Sequence, residues 1–241
     1  MKVELTPCYI LHRRDYRESS LIVEIFSREY GRVSLIAKGA KRNNKKQQGI
    51  SYNLYQEYLI SWVSKSELGT LIDIEPEKIT TSMCPEQIMT GFYMNEIILR
   101  LLHKHEQHPE LFDSYSSTIK KLSNNNTDQV LIRYFEKTLL QSLGYGVAFE
   151  HDLSTGNAIT TEGSYYYKLD FGPISNSKDN VENIPVSGKT LIDLNNETLL
   201  DTKNKNEAKL LLRKLLKQYL GEKPLESRKL YQEYIKSKRS V

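Results

Sequence analysis

The 241-residue sequence predicts an α+β multidomain protein: an N-terminal five-stranded OB-fold-like β-barrel, then an α-helical domain with a small loop-rich insert. Three observations predict it. Five short segments rich in Val, Ile, Leu and Tyr, separated by turn signals, occupy about the first 75 residues. Helical periodicity takes over after residues 76–85. It lapses across residues 147–194, where glycines and prolines gather, and then returns.

The candidate strands are residues 7–13, 19–27, 31–40, 52–63 and 67–75. In the second, Leu21, Val23 and Ile25 share one face while Ile22, Glu24 and Phe26 share the other. Gly31 marks a turn, after which Val33, Leu35 and Ala37 continue with period two. Five strands at this spacing suit a small closed barrel, for which the OB-fold is the obvious candidate; an SH3-like barrel fits the same spacing. Tyr52, Tyr58 and Trp62 share parity with Leu54 and Ile60, so they are assigned to the core rather than to a base-stacking platform.

From residue 86 to 103, Ile88, Met89, Phe92, Tyr93, Ile97, Leu101 and Leu102 recur at helical spacing. A second helix starts near Pro109, with Leu111, Tyr115, Ile119 and Leu122 on one stripe. The asparagines at 124–126 break it. Thr127 or Asp128 caps a third helix carrying Leu131, Phe135, Thr138 and Leu139, and Gly144 and Gly146 end it. A further helix runs from Asn206 to Leu220 and stops at Gly221 and Pro224; Ser227 caps a last short helix toward Lys236. The expected domains are residues 1–80 (barrel), 81–146 (first part of the helical domain), 147–194 (insert) and 195–241 (C-terminal helices completing the helical domain).

Charge is unevenly distributed. Residues 1–50 hold eleven cations against five acids and residues 203–241 hold twelve against four, whereas both intervening stretches are acidic. Basic ends around an acidic middle point to a polyanion-binding surface. No apolar run reaches the length of a membrane span and the N-terminus lacks a signal-peptide core, so a cytoplasmic protein without a membrane partner is expected. Cys8 and Cys84 read as isolated buried thiols. Neither they nor the loose group His103, His105 and His108 match a metal-ligand frame, so no metal and no cofactor are expected. The phosphate-loop, dinucleotide and nucleophile-elbow motifs are all absent, and the chain is expected not to be an enzyme.

Two sets of residues carry the candidate nucleic-acid-binding chemistry. Lys38, Lys41, Arg42, Lys45 and Lys46 follow a strand with no acid among them, and Arg13, Arg14 and Arg17 extend the patch from the end of the first strand. A loop of this kind borders the ligand face of an OB-fold, where cations neutralise phosphates; the plain alternative is a solvated loop. On the helix from Asn206 to Leu220, Leu211, Leu212, Leu215, Leu216, Tyr219 and Leu220 cover one side, while Lys209, Arg213, Lys214 and Lys217 cover the other. Lys209, Arg213 and Lys217 are the candidate phosphate contacts there; a solvated face is the alternative.

Several blocks resemble the bacterial RecO family of recombination mediators. They are residues 9–42 (YILHRRDYRESSLIVEIFSREYGRVSLIAKGAKR), 66–71 (SELGTL), 91–102 (GFYMNEIILRLL), 131–146 (LIRYFEKTLLQSLGYG) and 211–230 (LLRKLLKQYLGEKPLESRKL). They occur in the family's order and span nearly the whole chain. The resemblance implies an N-terminal OB-fold and a helical domain with an inserted small domain. It also implies binding of single- and double-stranded DNA, strand annealing, partnership with RecR, and a functional link to RecA on strands coated by single-strand-binding protein, SSB. It further implies binding of the acidic C-terminal tail of SSB, with Arg133 at the tail-contacting position. The adjacent position, often basic in relatives, is Tyr134. The alternative for Arg133 is an ion pair with a surface acid, Glu136 or Glu150. Many relatives carry four zinc-binding cysteines in the insert; residues 151–163 supply none, so the insert lacks zinc ligands and is expected to be locally less stable. The rival readings are a general OB-fold nucleic-acid binder, of DNA or RNA, with no SSB link, and an enzyme with an unfamiliar site.

Overall fold

The computed structural model describes residues 1–41, 52–77, 83–124, 129–145, 147–175 and 183–239. The chain forms two compact units, Met1–Thr127 with Pro224–Val241, and Asp128–Lys223.

The first unit is organised by one long strand, β1 (Lys2–Tyr16), whose N-terminal half pairs with β4 (Glu57–Val63) and whose C-terminal half pairs with β2 (Ser20–Ser27). A strand can serve two neighbours in this way only by bending, and its register shifts between Val3 and Thr6 and between Ile10 and His12. At the first shift Leu5 takes φ +43°, exposes its side chain and donates its N–H to Ser61 Oγ. β2 pairs with β3 (Gly31–Ala37) in the register Val23 to Leu35 and Ile25 to Val33. β3 runs parallel to β5 (Leu68–Pro76), which returns antiparallel to β4. The order β1-β2-β3-β5-β4, closed between β4 and β1, is that of an OB-fold and excludes the SH3-like alternative.

The period-two pattern places the core as expected. Cys8, Ile10, Val23, Ile25, Val33, Leu35, Ile60 and Trp62 fill the interior, joined by Tyr52 and Tyr58, which are core residues. Trp62 meets Tyr30 edge-on at 5.2 Å. The bore is narrow enough that a Cβ on Gly69 would sit 2.7 Å from Leu35 Cδ2.

The outer face of β1 and β2 presents Tyr9 and Phe26 to α2 (Pro109–Ser123), where Phe112 and Tyr115 lie 5.0–6.1 Å from them, ring to ring. Tyr115 donates its hydroxyl to Asn95 on α1 (Pro85–Leu101), and Asn95 donates to the Leu11 carbonyl, so the buried polar atoms at this junction are paired. The α1–α2 connection is strapped to the β2–β3 turn: His105 N–H donates to Arg32 O, and a Cβ on Gly31, at φ +63°, would fall 1.8 Å from Glu106 O. The last helix, α6 (Glu226–Arg239), packs on α1. Ser227 is not its cap: the helix begins at Glu226, and the Glu226 and Ser227 N–H groups and the Ser227 hydroxyl all donate to Glu96 of α1.

The second unit holds α3 (Val130–Ser142), a three-stranded sheet ordered β7-β6-β8, α4 (Gly188–Asn195) and α5 (Thr202–Leu220). The strands are β6 (Ser164–Lys168), β7 (Gly172–Ile174) and β8 (Ile184–Ser187). The helices that the sequence groups into one domain are therefore divided between the two units. α4 lies inside the segment read as lacking helix; Ser187 caps it by accepting from Thr190 N–H, and Leu191 and Leu194 bury its apolar side. α5 starts four residues earlier than its periodicity suggests, because Asp201 accepts from Lys203 N–H. The expected caps Thr127 and Asp128, and Gly146, lie outside the described residues; Gly144 follows α3 at φ +71°.

The insert contains a polar knot. Asp152, 4% exposed, accepts from Ser154 N–H and Oγ, Thr155 Oγ1 and Ser175 N–H. Among the described residues, no three His, Cys, Asp or Glu side chains converge to hold a metal. Both cysteines are free thiols; Cys8 is buried, and burial pushes its thiol well above the ordinary range, whereas Cys84 is only half-buried. No helix among the described residues is long and apolar enough to cross a membrane.

Candidate functional site

The first set of predicted cations converges on the end of the barrel where β1 turns into β2 and β3 leaves the sheet. Arg17 occupies that turn at φ +54° with its guanidinium 5.1 Å from the Tyr16 ring centre. Lys41 N–H donates to Ser19 O, which draws the segment after β3 against the same turn. Between them lies an open cleft of about 530 Å³ lined by Tyr16, Arg17, Glu18, Ser19, Ser20, Ile36, Lys38 and Gly39. Arg17 and Lys38 are both exposed there, beside one acid, Glu18.

The other members of this set have different surroundings. Arg14 is exposed on the outer face, opposite Ile22. Arg13 faces the barrel mouth, opposite Val23, and donates to the Tyr52 carbonyl at 2.7 Å, so part of its capacity is spent on closing the barrel end. Lys41 pairs with Asp15 at 2.7 Å in an exposed position, an interaction water weakens. Arg42, Lys45 and Lys46 lie outside the described residues.

The second set is on α5, where Lys209, Arg213 and Lys217 recur every four residues and form one row along the helix. Arg213 and Lys217 are exposed, while Lys209 is half-buried. α5 buries Ala208, Leu211, Leu212, Leu215 and Leu216 and packs on α3, which carries Arg133. Arg133 is only 7% exposed, and its Nη1 lies 2.6 Å from Oε2 of Glu136, a carboxylate with no exposed surface. The contact is close but Nη1 makes no aligned hydrogen bond. Lys209 lies within electrostatic reach of both residues. Burial, then the nearby Arg213 and Arg133, hold its ammonium below the ordinary lysine value, and Glu136 opposes them.

Arg133 thus lies against Glu136, which is fully buried rather than the surface acid of the alternative reading, whereas Glu150 accepts from Asn195. Tyr134 is engaged locally, its hydroxyl accepting the Leu199 N–H just before α5. Sequence reasoning separated Lys209 and Arg213 from Arg133 and assigned them to different ligands; the structure brings them together. The spacing along α5 was visible, but which helix that row approaches depends on packing.

Two family models match the chain, one described as Recombination protein O N terminal over residues 1–79 and one as Recombination protein O C terminal over residues 85–229. Among similar proteins is the DNA repair protein RecO of Nitrosospira multiformis, 38% identical over 232 residues, covering 96% of each chain. The protein of that name from Dechloromonas aromatica is 38% identical over 235 residues, again 96% of each. That from Nitrosococcus oceani is 39% identical over 236 residues, covering 97% of this chain and 94% of the relative. With a closed OB barrel matched by the N-terminal model and the helices matched by the C-terminal one, the chain belongs to the recombination protein O family.

Proposed function

We propose that this chain is a non-catalytic mediator of recombinational DNA repair that acts in the cytoplasm at the nucleoid. It binds single- and double-stranded DNA, anneals complementary strands, and with RecR helps RecA replace SSB. The observation that carries this reading is the sorting of cations into two environments. At the barrel end, Arg14, Arg17 and Lys38 are exposed and suited to phosphates that keep their water. Arg133, by contrast, is buried on an apolar helix pair, with the half-buried Lys209 on the other helix of that pair, and suits a carboxylate attached to an apolar group, as at the end of the SSB tail. Gripping coated DNA through both ligands raises the local concentration of exchange partners without nucleotide hydrolysis.

The test is a salt titration. Arg17→Glu with Lys38→Glu is expected to weaken DNA binding for all sequences alike. The slope of log affinity against log salt should become shallower by about one unit per lost phosphate contact. An unchanged slope removes the barrel end from the DNA site. Equal affinity for RNA, with no binding of an SSB tail peptide, would favour the general nucleic-acid binder.

A further inference from the structure

On the outside of the barrel, two exposed apolar side chains flank a single serine. Along β1 the register passes from Val3 opposite Trp62 to Thr6 opposite Ile60, so Glu4 and Leu5 together stand against Ser61 of β4. On the other side of β4, Ser61 lies opposite Asp73 and Trp62 opposite Leu71, which makes Ile72 the extra residue of a second bulge at the same level. Each bulge turns a large apolar side chain into water: Leu5 is 51% exposed and Ile72 59%. Leu5 does so at φ +43°, in the left-handed region that leucine disfavours and that asparagine or glycine adopts more readily. Bending β1 needs the bulge but not the leucine. Single apolar residues on a surface are common; two at one level on either side of one strand, one of them on a disfavoured backbone, point to a contact surface.

The surroundings say what fits it. Ser61 is small, and its Oγ accepts the Leu5 N–H. The half-buried Leu59 and Val63, which alternate with the interior Tyr58, Ile60 and Trp62, continue the apolar face along β4. Glu4, Asp73 and Glu75 are exposed beside these residues, and Lys2 offsets only Glu4, to which it is bridged. The rim is therefore acidic, opposite in sign to the Arg17 and Lys38 end of the barrel. Phosphates are repelled here, and a second copy of the same patch would set acids against acids. We propose that this face docks a segment of a partner protein in which apolar side chains are interspersed with Lys or Arg. Leu5 and Ile72 make the apolar contact, while Asp73 and Glu75 select the cations. Neither the DNA-binding nor the acidic-tail reading depends on it.

The experiment follows the full-length protein by fluorescence anisotropy with three short labelled peptides. One alternates leucine and lysine, one has serine in place of leucine, and one has glutamate in place of lysine. The wild type is expected to bind the first at least about tenfold more tightly than either control. Leu5→Asn removes the apolar contact with a residue suited to the same backbone. It is expected to weaken that binding by about fivefold or more and to melt no lower than the wild type. Ile72→Thr keeps the β-branch and should weaken binding comparably; it decides if Leu5→Asn melts lower. Leu230→Ser, at another exposed apolar residue, should change binding by less than about twofold. Binding of a single-stranded oligonucleotide should be the same in all of these proteins. Equal affinity of the wild type for the three peptides, or unchanged affinity in a folded Leu5→Asn or Ile72→Thr, would overturn the proposal. Equal losses for peptide and oligonucleotide would overturn it in favour of nucleic acid. Self-association of the wild type in sedimentation, abolished by the same variants while peptide binding persists, would overturn it in favour of a second copy.

Discussion

The barrel and the second unit are held by different physics. In the barrel, thirteen residues of one apolar cluster meet across the sheet, and polar groups of the strands such as Ser34 with Glu24 lie outside that cluster. In the second unit, buried or half-buried acids act as hubs. Asp152 gathers the turn around it; Glu207 accepts from Ser187 N–H and Oγ and from Thr190 Oγ1; Asp193 accepts from Lys189 and Asn204. Burial is non-directional and tolerates variation as long as volume is kept, whereas a carboxylate hub depends on each donor and on pH. The barrel should therefore fail through cavities, and the second unit through lost charges and donors.

The sharpest way to break the barrel is Trp62→Ala. Trp62 is fully buried, and its removal is expected to cost about 3–5 kcal/mol in urea unfolding. A loss below about 1 kcal/mol would mean the core collapses around the gap and the contrast is overstated. A comparable loss in the second unit needs only a charge. Arg133→Ala removes the cation that lies against the fully buried Glu136 and is expected to cost about 3–5 kcal/mol of stability, besides weakening tail binding. Retained stability with lost peptide binding would instead give Arg133 a purely ligand-facing role.

Asp152→Asn is the next step down. It exchanges charge-assisted hydrogen bonds for neutral ones and should lower local stability by about 1.5–3 kcal/mol, read as faster amide exchange confined to residues around 152–175. The same hub predicts acid sensitivity. Burial alone would raise the Asp152 carboxyl, but the donors from Ser154, Ser175 and Thr155 outweigh it and hold it well below the usual carboxylate range. Its stabilisation is therefore complete above the unfolded value of about 4 and disappears as the pH falls through the lowered folded-state value. Exchange around Asp152 that does not respond to acid in the wild type, or responds equally in Asp152→Asn, would rule the hub out. The smallest expected effect is Ser187→Ala, which removes the α4 cap and a donor to Glu207, for about 1–2 kcal/mol by thermal melting.

The same contrast explains what was legible in advance. The alternation of Val23, Ile25, Val33 and Leu35 announced strands, because a half-buried strand must alternate, and the stripe Leu111, Tyr115, Ile119 and Leu122 announced α2. α4 was not legible. Eight residues are too few for a clear period, and its start depends on one serine whose partners come from α4 and α5. The cleft at the barrel end was legible as a cluster of cations, but not the commitment of Arg13 to the Tyr52 carbonyl, a contact across 39 residues.

By itself, then, the sequence determined the barrel's strands and core, the main helices, the absence of zinc-type cysteines from the insert and the placement of cations at both ends of the chain. These follow from local periodicity and composition. Only the tertiary structure decided the OB order, the division of the helices between two units, and the packing of α5, which carries Lys209, on the helix of Arg133 and Glu136. The reason is physical. A helix's period tells which face is buried but not what it is buried against. Arg133 and Lys209, 76 positions apart, are brought onto packed helices only when α3 and α5 fold together.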